Sequence, residues 1–361
     1  MAADMVKILS RRIKQARDIS GFSMRALAEA TKGVVSHSAI AKYERGDMCP
    51  GSEALTSLAV ALDQPLDFFI RPFHESLTDI RFRRRISKLA ESKKNQLVGN
   101  AKDFFERYWE IERILEVTHP FDNPVPQKVV TKPEQVAGLA EILREEWGLG
   151  SNPLPNVHQL MEFHGIKVHE LSTDDKAFDG FSAISENGPV VVIASWLNED
   201  IPRKRMTEVH ELAHILLNIP KEIEEKEEEK IVWEFTGQLL MPKEELTDWF
   251  GKRSRISLAE LIELKENLGV SIMAIVYRAN KLGLLSKQAT TSFFKYANRE
   301  GWRSKGEPGK DVYKGSESST RFETLVHRAV IEEKITEAKA AALLKRPLSE
   351  LRASLKGVTF S

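Results

Sequence analysis

The segment MTEVHELAHILLN (206–218) places His210 and His214 four residues apart, with Glu211 directly after the first. On an α-helix, residues four apart project from one face a turn apart, so both imidazoles can chelate a single Zn2+. Glu211 is rotated by about 100° from His210 and falls beside that ion, placed to take a proton from water. Met206, Val209, Ala213, Leu216 and Leu217 give the segment an apolar stripe and Pro220 ends it, so a packed helix is expected. A chain with nine His carries this pattern by chance in roughly two cases per hundred. The bland alternative is a surface helix with two ordinary His.

A catalytic zinc takes three protein ligands and keeps a fourth position open. EEEKIVWEFTGQLLMP (227–242) reads as a second helix, one face of which carries Glu229, Val232, Thr236 and Leu239 or Leu240. Glu229 follows His214 by 15 residues, a spacing that suits a helix–loop–helix; on spacing alone Glu225 and Glu228 compete with it. Upstream, GIKVHEL (165–171), FDGFSAI (178–184) and GPVVVIAS (188–195) are β-branched and Gly-bounded, hence extended. The last two form a hairpin with its turn at Asn187-Gly188.

Nearer the N-terminus the pattern is helical. Val6, Leu9, Ile13 and Ala16 recur at three- and four-residue spacing. Ser23 can cap MRALAEAT, whose Leu27 and Ala28 face inward. After a turn containing Gly33, SHSAIAKYERG would anchor a third helix through Ile40 and Tyr43, leaving Ser36, His37, Ser38 and Lys42 outside. Two short helices with the second presenting small polar and basic side chains can enter a major groove. Residues 75–118 read as a long helical connector, stopped by Pro120, Pro124 and Pro126. The aromatics of FFERYWEIERILEV (104–117) form a packing seam and a candidate dimer interface. Residues 255–361 are helical again around a Gly/Ser/Lys-rich loop at 301–319, with Leu325, Ala329, Ile335 and Ala338 on one amphipathic face. His119, His158, His164, His169 and His327 lie in no ligand pattern and read as surface or packing groups.

The charge totals, 53 Lys plus Arg against 53 Asp plus Glu, would disfavour a polyanion partner if evenly spread. Residues 71–95 instead carry eight basic and three acidic side chains, and 221–230 carry six Glu against three Lys. The single Cys49 excludes an internal disulfide framework and a Cys-rich zinc finger. No apolar run approaches the roughly 18 residues of a membrane span, and MAADMVKILSRR lacks a signal-peptide core, so a cytoplasmic protein without membrane association is expected.

RALAEATKGVVSHSAIAKYERGDMCPGSEALTSLAVAL (25–62) resembles the XRE-family repressor helix-turn-helix, over about 65 residues in all. The connection between Ala28 and Ile40 is two residues longer than the commonest form, and Met24 stands where many members have Gln. This resemblance implies a lambda-repressor-like helical domain, a double-stranded DNA operator as partner and a homodimer. It also implies Ser36, His37, Ser38 and Lys42 toward the bases and Arg25 and Arg45 toward phosphates. R-x-R-M-x-x-x-HELAH (203–214), the strand pair, and E-x-x-x-x-x-F-x-x-x-LLMP (229–242) resemble the ImmA/IrrE zinc metallopeptidases. That resemblance covers about 130–250, and more loosely to Trp302. It implies a zincin-like, gluzincin-type domain with Zn2+ as cofactor, His210, His214 and Glu229 as metal ligands and Glu211 as general base and acid. Trp233, Ala213 and Thr236-Gly237 replace a usual Asn, a common Gly and a small Ala pair.

The expectation is an α+β, mostly α chain with four zones. They are a helix-turn-helix domain at 1–70, a basic helical connector at 71–128, a zinc-peptidase domain with a small sheet at 129–252, and a helical region at 253–361. Functionally, it is a repressor whose metalloendopeptidase domain cuts a repressor-type protein or itself, relieving repression in a stress, prophage or toxin–antitoxin setting. The alternative is a non-catalytic regulator or antitoxin, with the zincin domain as a sensing or binding module and a cognate toxin as partner.

Overall fold

The computed structural model describes residues 2–71, 77–82, 89–251, 256–309 and 313–355. Their helices begin with α1 (Ala2–Ser20), α2 (Met24–Ala30), α3 (His37–Arg45), α4 (Ser52–Ala61), α5 (Leu66–Ile70) and α6 (Glu91–Leu115). They continue with α7 (Leu139–Glu146), α8 (Val157–Phe163), α9 (Ile201–Leu216), α10 (Glu225–Leu240), α11 (Lys243–Phe250) and α12 (Leu258–Leu268). Last come α13 (Ile272–Lys281), α14 (Lys287–Arg299), α15 (Trp302–Lys305), α16 (Arg321–Ile331), α17 (Glu337–Leu344) and α18 (Leu348–Ser354). The strands are β1 (Thr78–Phe82), β2 (Lys167–Leu171), β3 (Gly180–Ser185) and β4 (Gly188–Ala194). The chain is thus α+β and mostly α, as its periodicities indicate.

Two compact units divide the described residues: one drawn from 1–77, 84–118 and 320–361, the other from 78–83 and 119–319. These units run across two of the four expected zones. The zone 253–361 is split at 319, and the connector gives its strand to one unit and its helix to the other. Thr78-Asp79-Ile80-Arg81-Phe82 alternates polar with β-branched or aromatic residues, a period-two pattern, and forms β1 where a helix was expected. Arg83, Arg84 and Arg85 of the basic stretch lie outside the described residues.

In the first unit Ile13, Ala16, Leu27, Ile40, Tyr43, Leu58, Phe68 and Phe69 build the helix-turn-helix core. Ser23 and Ser36 cap α2 and α3 by accepting from the amides of Ala26 and Ala39. Thr31 Oγ1 donates to the Ala28 carbonyl at 2.7 Å and accepts from the Val35 amide at 3.2 Å, which stiffens the turn. The expected aromatic seam of α6 is filled from within the chain. Tyr108, Ile111 and Leu115 pack with Leu325, Val326, Ala329, Ala340, Leu343 and Leu351. Phe322 sets its ring 5.1 Å from Phe104 and 5.2 Å from Tyr108. Ala338 is exposed and Ala340 buried in its place, because α16 ends at Ile331 and Thr336 caps a new helix with a new phase.

A buried charge cluster joins the parts of this unit. Asp103 meets Lys345 Nζ at 2.8 Å, Arg107 Nε at 3.2 Å and a terminal nitrogen of Arg71 at 3.3 Å. Arg71 therefore serves an internal ion pair, although it opens the basic stretch. Arg12 of α1 is fully buried and donates to Glu106 of α6 at 2.5 Å and to the Arg71 carbonyl at 2.9 Å.

The second unit centres on a four-stranded sheet of order β1-β3-β4-β2. β3 and β4 are antiparallel and β2 runs parallel to β4. Ser185 pairs with Gly188, so the hairpin turn is Glu186-Asn187, one residue earlier than expected. Every residue from Pro189 to Ala194 is buried, as a central strand covered on both faces requires. Gly180 lets β3 approach closely: a Cβ there would sit 2.6 Å from the Val192 carbonyl oxygen and 3.3 Å from Thr207 Cγ2 of α9.

Burial raises the Asp103 carboxyl, but the facing cations outweigh it and bring the pKa from 3.8 to about 2. A depressed carboxylate stabilises the folded state above its unfolded pKa and loses that contribution as pH falls through the folded value. Denaturant unfolding followed by α6 tryptophan fluorescence should gain about 2 kcal/mol between pH 2 and pH 5 from this group. Asp103→Asn should flatten that rise; an unchanged pH profile would contradict the assignment.

Candidate metal centre

α9 begins where Asp200 accepts from the Arg203 amide at 3.3 Å, with Pro202 in the first turn. From Thr207 to Ala213 every residue is inaccessible to solvent, and so are Lys204 and Arg205. Burying two cations is costly unless each is paired and hydrogen-bonded. Lys204 Nζ donates to Glu170 Oε1 at 2.5 Å, to Asn198 Oδ1 at 2.8 Å and to the Glu317 carbonyl. Arg205 pairs with the Glu317 carboxylate and donates to the Tyr313 hydroxyl at 2.7 Å and the Leu154 carbonyl at 2.9 Å. Glu317 also accepts from the Val157 amide at 2.8 Å, at the start of α8. Arg203 grips both carboxylate oxygens of Asp179, at 2.8 and 2.9 Å, just before β3. The R-x-R sequence motif thus anchors the helix to the sheet and to the 313–319 loop.

This anchored helix and α10 bring His210, His214 and Glu229 together, with one donor atom of each within 4.8 Å of the others. The two Nε2 atoms are 3.2 Å apart, and Glu229 Oε1 is 3.5 Å from His210 Nε2. Two nitrogens each about 2.0–2.1 Å from a tetrahedral zinc stand about 3.3 Å apart, so this donor set fits zinc. Of the competing carboxylates, Glu225 is exposed and outside the cluster. Glu228 Oε1 lies 3.2 Å from the other nitrogen of His214, Nδ1, without the alignment of a hydrogen bond. It is on the side from which a carboxylate can orient a metal-bound imidazole. Spacing alone could not assign this role, since Glu228 and Glu229 are adjacent in a run of acids.

Glu211, fully buried, follows His210 on the same turn. The Trp233 ring lies 4.7 Å from that of His210 and is 39% exposed, so it walls the centre on one side. His158 is buried, with Nδ1 3.5 Å from Glu208 Oε1 on the far side of α9. His164 stacks on Trp147 at 4.0 Å. Neither belongs to the donor cluster.

In the helix-turn-helix, Arg25, Ser36, His37, Ser38, Lys42 and Arg45 are all exposed. Ser36 Oγ is engaged by the Ala39 amide at 3.2 Å and by Ser38 Oγ at 3.0 Å. Arg45 is paired with Asp47 at 2.7 Å. Lys42, His37 and Arg25 leave their polar ends on the surface of α2 and α3.

Comparison with known families matches residues 13–69 to a helix-turn-helix domain and residues 161–280 to the IrrE N-terminal-like peptidase domain. The chain fuses these two domains. It is a DNA-binding regulator that carries a metallopeptidase-like domain, and the peptidase match spans β2 to α13, including both helices of the donor cluster. No curated protein and no solved structure matches it. Among the described residues no helix is long and apolar enough to cross a membrane.

Chelator-competition titration should find zinc binding about 10- to 100-fold weaker in Glu228→Gln, weaker still in Glu229→Gln, and unchanged in Glu225→Gln. An unchanged affinity in Glu229→Gln would contradict the geometry.

Proposed function

We propose that the fusion is a DNA-binding repressor whose second domain is a zinc endopeptidase acting on a repressor-type polypeptide or on the chain itself. The observation that carries this reading is the convergence of two facing imidazole nitrogens and the Glu229 carboxylate beside a buried Glu211. His210, His214 and Glu229 would hold the ion, which when bound polarises a carbonyl and brings the pKa of water to about 7. Glu211 accepts the proton of the attacking water and returns it to the nitrogen of the leaving amine, so one carboxylate serves as base and then acid. Glu228, beside His214 Nδ1, would accept its N–H and orient the ring once the ion is bound, and the Lys204 and Arg205 anchors keep α9 from rotating.

The self-directed version is favoured by β1. This linker strand pairs antiparallel with β3, at one edge of the peptidase sheet, with Phe82 opposite Phe181 and Thr78 opposite Ile184. Strand addition to a sheet edge is a common way to hold an extended peptide. On the DNA side, α3 enters the major groove with Ser36, His37, Ser38 and Lys42 toward base edges, Arg25 and Arg45 lie toward phosphates, and a homodimer reads a palindromic operator. The protein works in the cytoplasm, in a prophage, stress or toxin–antitoxin circuit.

At equal zinc content, Glu211→Gln should slow cleavage at least about 100-fold, read as intact mass of the chain and of any co-encoded repressor. Identical masses for wild type with and without zinc would leave the domain as a sensing module or an antitoxin surface. Separately, Arg25→Ala should weaken operator binding uniformly and lower the salt slope by about 1. Lys42→Ala should change sequence preference in the same titration; equal losses on all sequences would overturn its base-side role.

A further inference from the structure

A cavity of about 520 Å3 opens between α10, α13 and the turn at Pro133–Val136. Its walls include Met206, Trp233, Gly237, Met241, Ala274 and Tyr277. The two ligand-bearing helices run from the donor cluster into it. Met206 is one turn before His210 on α9, and Trp233 is one turn after Glu229 on α10 with its ring against His210. We propose that this cavity is a side-chain subsite for a bulky apolar residue, aromatic or long aliphatic, flanking the scissile bond of the polypeptide substrate. The inference rests on the peptidase reading above.

Three observations define the occupant. Charge of both signs is present in equal number around the cavity: Glu234 binds both Arg278 at 2.9 Å and Lys281 at 2.5 Å, Lys230 binds Glu227 at 2.6 Å, and Glu134 is a third carboxylate on the wall. With three cations and three carboxylates around it, the wall carries no net charge to select an acidic or a basic side chain, and an apolar one leaves the ion pairs undisturbed. Large apolar surface is left open there, Trp233 being 39% and Tyr277 56% exposed, and such surface gains by being covered. Space is provided by Gly237, one turn beyond Trp233. A Cβ added there would meet nothing nearer than Arg278 Cδ at 3.9 Å. A small residue here therefore keeps the wall open, and a methyl would still leave room, whereas a branched side chain would project into the cavity.

The test incubates the zinc-loaded full chain with a mixture of proteome-derived peptides and reads the cleaved positions by mass spectrometry. Wild type, Gly237→Ala, Gly237→Leu, Trp233→Ala and Glu211→Gln are compared, each after metal analysis. Wild type should favour Phe, Tyr, Leu or Met at one fixed position beside the cut bond. Gly237→Ala should keep that profile, and Gly237→Leu should bind zinc equally and shift the preference at least tenfold toward Ala, Ser and Gly. Trp233→Ala should relax it in the opposite direction, which keeps the proposal testable if the leucine variant does not fold. Cleavage with the same profile in Gly237→Leu and Trp233→Ala would overturn the subsite and leave the peptidase standing. Absence of any cleavage that Glu211→Gln abolishes would overturn the peptidase reading and the subsite with it.

Discussion

Two imidazole nitrogens facing each other at 3.2 Å, on a helix closed to solvent from Thr207 to Ala213, set the terms for the second unit. That separation needs i and i+4 positions on an unbent helix, a carboxylate from a second helix, and no water competing for the nitrogens. Burying Lys204, Arg205 and the run from Thr207 to Ala213 keeps water from most of the helix and creates another problem, two buried cations. The chain answers it with Glu170, Asn198, Tyr313 and Glu317. Glu317, far from the motif in sequence, is therefore part of what positions it. Burial lowers the pKa of Arg205, and the Tyr313 and Glu208 groups around it oppose that shift.

Chain order and spatial order differ. The helices after residue 320 return to α6, which packs beside the helix-turn-helix core, so 119–319 is an insertion within the regulatory unit. The linker crosses the unit boundary again to lay β1 on β3. If the proposed self-cleavage falls in that linker, it would separate the DNA-binding helices from α6 by chain and leave noncovalent contacts such as Arg12 with Glu106 to hold them.

Much of this was legible in the sequence where one period dominates. The stripe of Val209, Ala213 and Leu216 marked α9, the continuous apolar run of β4 marked a covered strand, and Ile40 with Tyr43 marked the inner face of α3. What escaped were features set by long-range partners. The five-residue β1 was hidden in a connector read as helix, because its alternation is short and it is a strand only with β3 beside it. The phase change at Thr336 exchanged Ala338 for Ala340. In the acidic run, adjacent Glu228 and Glu229 differ by a helical rotation that only the position of α9 turns into two places, one in the donor cluster and one beside His214 Nδ1. Trp233 departs from the family pattern, yet it walls the centre rather than filling it.

The account depends most directly on the ion that His210, His214 and Glu229 would hold. X-ray absorption at the zinc edge, on the full chain loaded with one zinc, reads that donor set without a substrate. It should give two imidazoles and one carboxylate oxygen at about 2.0–2.2 Å, losing the carboxylate contribution in Glu229→Gln and keeping it in Glu228→Gln. A shell with one imidazole or none, or one that Glu229→Gln leaves unchanged, would contradict the central claim.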